Sequence, residues 1–336
     1  MMAGGEDWRP SASRERLIAR AALLRRVREF FAARAVLEVD TALVVNAPVS
    51  DVHIHSARVQ LAGGRGDPAS PAAPPLYLHT SPEYAMKRLL AAGSGDIYQI
   101  CHVVRDLEYG RLHNPEFTLI EWYRVGFTLA ALMDEVEALV RALLAPAGGA
   151  RTRERLSYRD AFVRELALDP LSASTAELAA AAQSLGFRGG QRQGAAADRD
   201  EWLELLMAAR VGPQLGRGAL TFVHGYPATQ AALARLDPAD ARVAERFELY
   251  CEGIELANGF HELAAPAEQR ARFAQDNAAR RRRGLEVAPP DERLLAALAA
   301  GLPDCAGVAL GFDRLAMIAL GAASIAEVLP FPTTRA

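Results

Sequence analysis

Phe247–Leu263 reads FELYCEGIELANGFHEL, with glutamates at 248, 252, 255 and 262. Two short apolar runs flank a Cys-Glu-Gly turn, a pattern that predicts an antiparallel hairpin. Its strands are Phe247–Tyr250 and Ile254–Leu256, closing on Glu252-Gly253. In that arrangement Glu248 and Glu255 face each other across the pair. Opposed carboxylates repel unless a proton, an arginine or a divalent cation separates them. An all-oxygen ligand set of this kind suits Mg²⁺, which shares its shell with substrate phosphates. A solvated polar strand face is the plainer reading, and the rest of the chain has to decide between the two.

The chain has 336 residues, 51% hydrophobic and 24% charged, enough for one large domain or two ordinary ones. No apolar run approaches the ~18 residues that span a bilayer. The N-terminus lacks the basic and apolar regions of a signal peptide, so a soluble, cytoplasmic protein without a membrane partner is expected. Cys101, Cys251 and Cys305 are far apart and odd in number, the usage of reduced thiols and not of a disulfide or zinc framework. A net charge of −3 and a pI near 6.2 give no global pull toward nucleic acid. Lys87 is the only lysine, which reads as a coding bias toward arginine.

Residues 1–13 read as a flexible tail, and 14–336 as a single catalytic-type domain. Arg14–Arg34 carries Leu17, Ala21, Leu24, Val27 and Phe31 at helical spacing. Val36–Val45 reads as a strand, residues 61–75 as a Gly/Pro/Ala loop, and Leu76–His79 as a strand. A helix is expected over 82–92, with Ser81 as N-cap and Pro82 in its first position. Asp96–Arg105 and Phe117–Tyr123 read as strands around an irregular loop, Asp106–Glu116, and Leu129–Leu144 as an amphipathic helix. A turn-rich break is expected at 145–155. Residues 146–240 read as a mostly helical insertion, with one strand at Ala219–Val223. Pro266–Arg283 is a helix whose closing run, Arg280–Arg283, reads as a solvated C-terminal cap or as a docking site for an acidic partner. Gly307–Gly321 passes from strand to helix. This order is neither βαβ alternation nor a sandwich; it predicts an α+β fold, a mostly antiparallel sheet flanked by helices.

Three further stretches carry chemistry. Arg105 and Arg314 suit bidentate contacts to phosphate or carboxylate. His113-Asn114-Pro115-Glu116-Phe117 gathers imidazole and amide donors and an aromatic face in one loop. Gly307–Leu315, GVALGFDRL, puts glycines where a backbone can approach a planar ligand. Together with the paired glutamates these are parts for a nucleoside triphosphate and its metal.

These stretches also carry a resemblance. RDLEYGRLHNPEFTLIEWY at 105–123 resembles motif 2 of the class II aminoacyl-tRNA synthetases in its lysyl form. IELANGFHEL at 254–263 resembles the lysyl substrate and metal segment, GVALGFDRL motif 3, and REFFAARAVLEVDTALV at 28–44 motif 1. The likeness spans nearly the whole chain, with no room before motif 1 for an anticodon-binding domain. A stand-alone lysyl-type core resembles the branch of the class that adenylates (R)-β-lysine and transfers it to a lysine side chain of elongation factor P, without tRNA.

The resemblance implies ATP and Mg²⁺ and a homodimer built through motif 1. It assigns Arg105 and Arg314 to catalysis on the α-phosphate, with His113, Asn114, Phe117, Leu107, Leu256 and Gly311 at ATP. Glu248 and Glu255 would hold the metal, Glu255 also serving ATP. Ser81, Glu83, Glu121, Tyr123, Asn258 and Glu262 would recognise the amino groups of the substrate. A dication demands several carboxylates, because an unpaired buried ammonium is costly. Adenylation itself needs positioning and charge stabilisation, not a protein nucleophile.

Three positions depart from the pattern. Leu107 stands where motif 2 carries glutamate, and a strand's alternation would point neighbouring Glu108 to the other face. Ala42 replaces the motif 1 proline. Ala309 stands where tRNA-charging lysyl enzymes have glycine, in agreement with the protein-modifying branch. The alternatives are a truncated lysine–tRNA ligase and a catalytically silent paralogue acting as a regulatory subunit, the latter resting on Leu107.

Overall fold

The computed structural model describes residues 8–61, 75–145, 148, 151–187 and 198–336. Residues 1–7 of the expected tail, most of the 61–75 loop, part of the 145–155 break and residues 188–197 of the expected insertion lie outside them. The chain divides into two compact units. The first comprises Met1–Phe127, Ala138–Gly148 and Ala264–Ala336; the second comprises Thr128–Glu137 and Gly149–Leu263.

The first unit begins with α1 (Arg14–Ala32), capped by Ser13, whose hydroxyl accepts the Arg16 N–H at 3.3 Å. Just before it, Ser11 and Ala12 donate their backbone N–H groups to the Pro330 and Leu329 carbonyls. The helix buries Leu23, Val27 and Phe31, so Leu23 takes the inward position and Ala21 is exposed. Phe31 stacks on Tyr98 at 4.3 Å and meets Trp122 edge-on at 5.3 Å, tying the helix to the sheet.

The single strand expected at Val36–Val45 is two short ones, β1 (Leu37–Glu38) and β2 (Val44–Val45). They pair with different partners, so the chain has to leave the first ladder before joining the second. β-propensity reports local preference and does not see that switch. β3 (Arg58–Val59) and β4 (Leu76–Leu78) complete a small antiparallel sheet in the order β2-β4-β3. α2 (Glu83–Ala91) starts one residue later than expected, with Pro82 at the cap position. The Ser81 hydroxyl still accepts the Glu83 N–H, at 3.0 Å. β5 (Ile97–Val104) and β6 (Glu116–Val125) pair antiparallel, with β1 parallel to β5 at the edge. α3 (Leu129–Leu144) follows, its first turns belonging to the second unit.

The second unit contains β7 (Thr152–Ser157), α4 (Tyr158–Leu166), α5 (Thr175–Ser184), α6 (Arg199–Leu206), β8 (Ala219–Pro227), β9 (Val243–Cys251) and β10 (Ile254–His261). The strands run β10-β9-β8-β7, antiparallel except for β7, which is parallel to β8. The expected break and helical insertion therefore contain an additional strand. Thr152–Ser157, TRERLS, has no apolar alternation to reveal it, because its charged side chains are partnered: Arg153 pairs Glu137, and Glu154 accepts from Thr221. Tyr158, Phe162, Leu178, Trp202, Leu206, Val223 and Tyr226 form the core beside this sheet.

The expected hairpin is present and longer, closing on Glu252 (φ +52°) and Gly253 (φ +73°). A two-residue turn with both central residues left-handed matches the twist of the strands it joins. The two N–H groups donate to the Gly216 and Leu215 carbonyls at 2.8 Å. A Cβ on Gly253 would lie 2.7 Å from the Pro213 carbonyl oxygen, so glycine is required there.

The first unit resumes with α7 (Pro266–Arg282), α8 (Glu292–Gly301), β11 (Cys305–Gly311) and α9 (Phe312–Ala319). β11 pairs antiparallel with β6, giving the order β1-β5-β6-β11. Arg280 is neither a solvated cap nor a docking group: it is 8% exposed and donates to the Glu286 and Asp51 carbonyls at 2.6 and 2.8 Å. The strands are mostly antiparallel and flanked by helices, the α+β arrangement expected. Among the described residues no helix is long and apolar enough to cross a membrane.

Candidate active site

In the first unit the site is built on β5, β6 and β11. Residues directly opposite on neighbouring antiparallel strands share a face, and here Gln99, Glu121 and Ala309 form one such row. Glu121, 2% exposed, accepts from the Ser81 hydroxyl at 2.7 Å and the Tyr123 phenol at 2.8 Å. Three of the expected substrate-binding residues are thus in mutual contact around a buried carboxylate, with Ala309 beside them. The same carboxylate, after burial, pushes the Cys101 thiol up to about 12. Glu83, at the start of α2, accepts from the buried Lys87 ammonium at 2.7 Å. That internal cation was invisible as a partner in the sequence, although its i,i+4 spacing from Glu83 is the signal that finds it.

Arg105 and Arg314 stand at the other end of these strands. Arg105 donates to the Thr80 carbonyl at 3.1 Å and lies 5.2 Å from the centre of the Phe117 ring. Arg314, in the first turn of α9, donates to the Leu112 carbonyl at 3.2 Å and to His113 Nε2 at 2.7 Å. A guanidinium has no acceptor, so Nε2 must be the accepting nitrogen and His113 neutral. Desolvation, the Arg314 charge and then Arg105 hold the imidazole below its ordinary range. Asn114 commits both ends of its amide to backbone, donating to Glu116 at 2.5 Å and accepting from Thr333 at 3.0 Å. Gly311 caps α9, and Phe117 remains half-buried.

Motif 2 differs from the sequence expectation at one point. Leu107 is exposed and adopts φ +68°, so the segment after Arg105 is a turn in which strand alternation does not hold. Glu108 consequently comes back toward Arg105, with Nη1 and Oε1 3.8 Å apart.

The second unit holds the other carboxylates. Glu248 pairs with Asn258 across the hairpin and Glu255 with Tyr250, with a bulge between Glu255 and Ala257. The expected direct opposition of Glu248 and Glu255 is therefore corrected to a shared face, one pair apart. Leu256 is the residue displaced by the bulge and is buried. Arg246, two residues before Glu248 and so on its face, donates to Glu248 at 2.5 Å and to Asn258 at 3.2 Å. The Tyr250 phenol donates to the second Glu248 oxygen at 2.7 Å. Burial, then the Glu248 and Glu255 charges, push that phenol well above its usual range. Glu262 is buried and bridges Ala234. Arg246 was missed in the sequence, where its spacing could have found it.

Among the described residues no three acidic, histidine or cysteine side chains gather as a metal site. Two carboxylates on one face of the hairpin fit Mg²⁺ all the same, because this ion completes its shell with water and substrate phosphates. Glu248 keeps acceptor capacity beyond the two donors it serves.

A family profile, tRNA synthetases class II (D, K and N), matches residues 6–335, and the chain belongs to that family. It is 51% identical over 330 residues to a Vibrio cholerae protein named elongation factor P–(R)-β-lysine ligase, covering 98% of this chain and 99% of that protein. A Salmonella typhi protein of the same name is 49% identical over 329 residues, 98% of each chain. A third, from Vibrio parahaemolyticus, is 50% identical over 327 residues, 97% of this chain and 98% of its own. The class II, lysyl-type resemblance is borne out.

Proposed function

We propose that this chain is an ATP-dependent, AMP-forming ligase that adenylates (R)-β-lysine and transfers it to a lysine side chain of elongation factor P. The observation that carries this reading is identity near one half, over almost the full length of both chains, to ligases of that name. Ser81, Glu83, Glu121 and Tyr123 with Asn258 and Glu262 recognise the substrate amino groups; the buried Glu121 supports this, since a dry carboxylate is suited to an ammonium.

In the first step the amino-acid carboxylate attacks the α-phosphorus and pyrophosphate leaves. Arg105 and Arg314 stabilise the charge that develops there. Neutral His113 holds Arg314 in place, Phe117 offers its face to adenine, and Asn114 fixes the loop. Glu248 and Glu255 would hold Mg²⁺, which neutralises phosphate charge when bound. In the second step the acceptor amine, neutral although its free pKa is about 10.4, attacks the acyl carbon, and AMP leaves.

We also propose a cytoplasmic homodimer, with residues 14–336 acting as one catalytic domain. Leu37 and Leu43, both in the motif 1 segment, are 55% and 42% exposed, which supports a covering partner. The test of function is amino-acid-dependent ATP–pyrophosphate exchange with (R)-β-lysine and L-α-lysine in parallel, followed by mass spectrometry of elongation factor P. Exchange and a lysyl mass increment with the β-isomer are expected. Exchange with neither amino acid, or no transfer to the protein, overturns the reading.

A further inference from the structure

Gln99 lies on β5 directly opposite Glu121 and is 1% exposed. Apart from the weakly bonding Cys101 thiol, neither its amide oxygen nor its amide nitrogen meets a hydrogen-bond partner. A buried amide left in this state is costly, and native proteins retain few of them. Nothing in the proposed reaction has used this group.

Its chemistry fits one task. Gln99 and Glu121 are of equal length and start from cross-strand positions whose Cβ atoms lie about 5 Å apart, so their head groups are within reach of each other. A carboxylate at 99 would repel Glu121, and an apolar side chain would leave it less solvated. An amide supplies an N–H donor without charge. In the free protein both Glu121 oxygens are already occupied, by the Ser81 and Tyr123 hydroxyls. A substrate ammonium that engages those hydroxyls as well as Glu121 draws donors away from the carboxylate.

We propose that Gln99 is a positioning residue for amino-acid recognition: its amide turns to donate to Glu121 when the cationic substrate enters, holding that carboxylate on the ammonium. The inference rests on the aminoacyl reading of the site. It makes the unpartnered amide a feature of the empty state, satisfied on binding.

The experiment uses the full chain carrying Gln99→Met, an apolar replacement of similar length, and Gln99→Asn, which keeps the amide but shortens its reach. Amino-acid KM in pyrophosphate exchange should rise by about tenfold or more, the worth of a hydrogen bond to a charged group, while the ATP KM and kcat stay near those of the parent. Calorimetric titration with (R)-β-lysine should show the same loss of affinity. Gln99→Met should melt no lower than the parent, because it removes an unsatisfied buried group. An unchanged amino-acid KM and affinity in either folded variant overturns the proposal, as does a lowered melting point with unchanged KM, which would mark a purely structural glutamine. Absence of exchange in the parent protein would instead defeat the functional reading, so the two failures are distinct.

Discussion

Asp313 should be the most sensitive single carboxylate of the first unit, and Asp313→Asn is the way to ask. It is 1% exposed; Oδ1 accepts from Arg20 Nη2 at 2.6 Å and Oδ2 from the Thr118 backbone N–H at 2.7 Å. Arg20 also donates to the Thr118 hydroxyl at 2.8 Å and lies 5.0 Å from the Phe312 ring. One carboxylate thus joins α1, the start of β6 and the start of α9. Asparagine keeps the volume, so no cavity contributes, but its NH₂ must face either Arg20 or the Thr118 N–H, donor against donor. Leaving a buried charge uncompensated costs about 3–5 kcal/mol and an orphaned backbone N–H about 1–3. Arg20 retains a little solvent at 15% side-chain exposure, so a loss of about 3 kcal/mol is expected. It would be read from the urea midpoint at constant m. Arg314 is the next residue, so the ATP KM should rise as α9 shifts. The control is Arg20→Met: if the ion pair carries the effect, the double variant loses less than the sum of the singles. A single-variant loss under ~0.5 kcal/mol, the range of ordinary surface changes, or strictly additive losses would refute the argument.

Three other outcomes follow from the same geometry. Glu108→Ala should weaken ATP-dependent exchange by about tenfold, the scale of ~1.4 kcal/mol at a partly exposed pair, while Leu107→Ala should change it little; equal effects would show that Glu108 does not support Arg105. For His113 the folded imidazole is held below its ordinary range, so its contact with Arg314 is fully present above about 6.5 and is lost as pH falls through the depressed value. The ATP KM should therefore climb on the acidic side and stay flat there in His113→Asn; an acid limb that survives the substitution would locate it elsewhere. Leu37→Glu should shift sedimentation from dimer to monomer without loss of helical signal, and an unchanged sedimentation coefficient would remove motif 1 as the interface.

What could be read from the sequence divides along a physical line. Periodicity and turn chemistry located α1, α3 and the Glu252-Gly253 hairpin, because each is decided by residues close in the chain. β3 and β7 escaped because a two-residue strand has no period and a charged edge strand has no apolar alternation, and β1 and β2 were read as one strand because the break between them leaves no local mark. The chemical residues were legible as types: a cationic substrate needs carboxylates and a triphosphate needs arginines, whatever the backbone does. Their partners were not, because Arg20 and Asp313 are 293 positions apart and the Gln99–Glu121 pairing exists only once a register is fixed. Two errors have different causes. Facing Glu248 with Glu255 misjudged the register, because a turn at Glu252-Gly253 sets Glu255 opposite Tyr250 before the bulge that follows Glu255 is reached. Turning Glu108 away assumed an uninterrupted two-residue repeat, which the left-handed Leu107 breaks. Irregular backbone at both places supports the view that the site, and not the scaffold, determines the shape of the chain there.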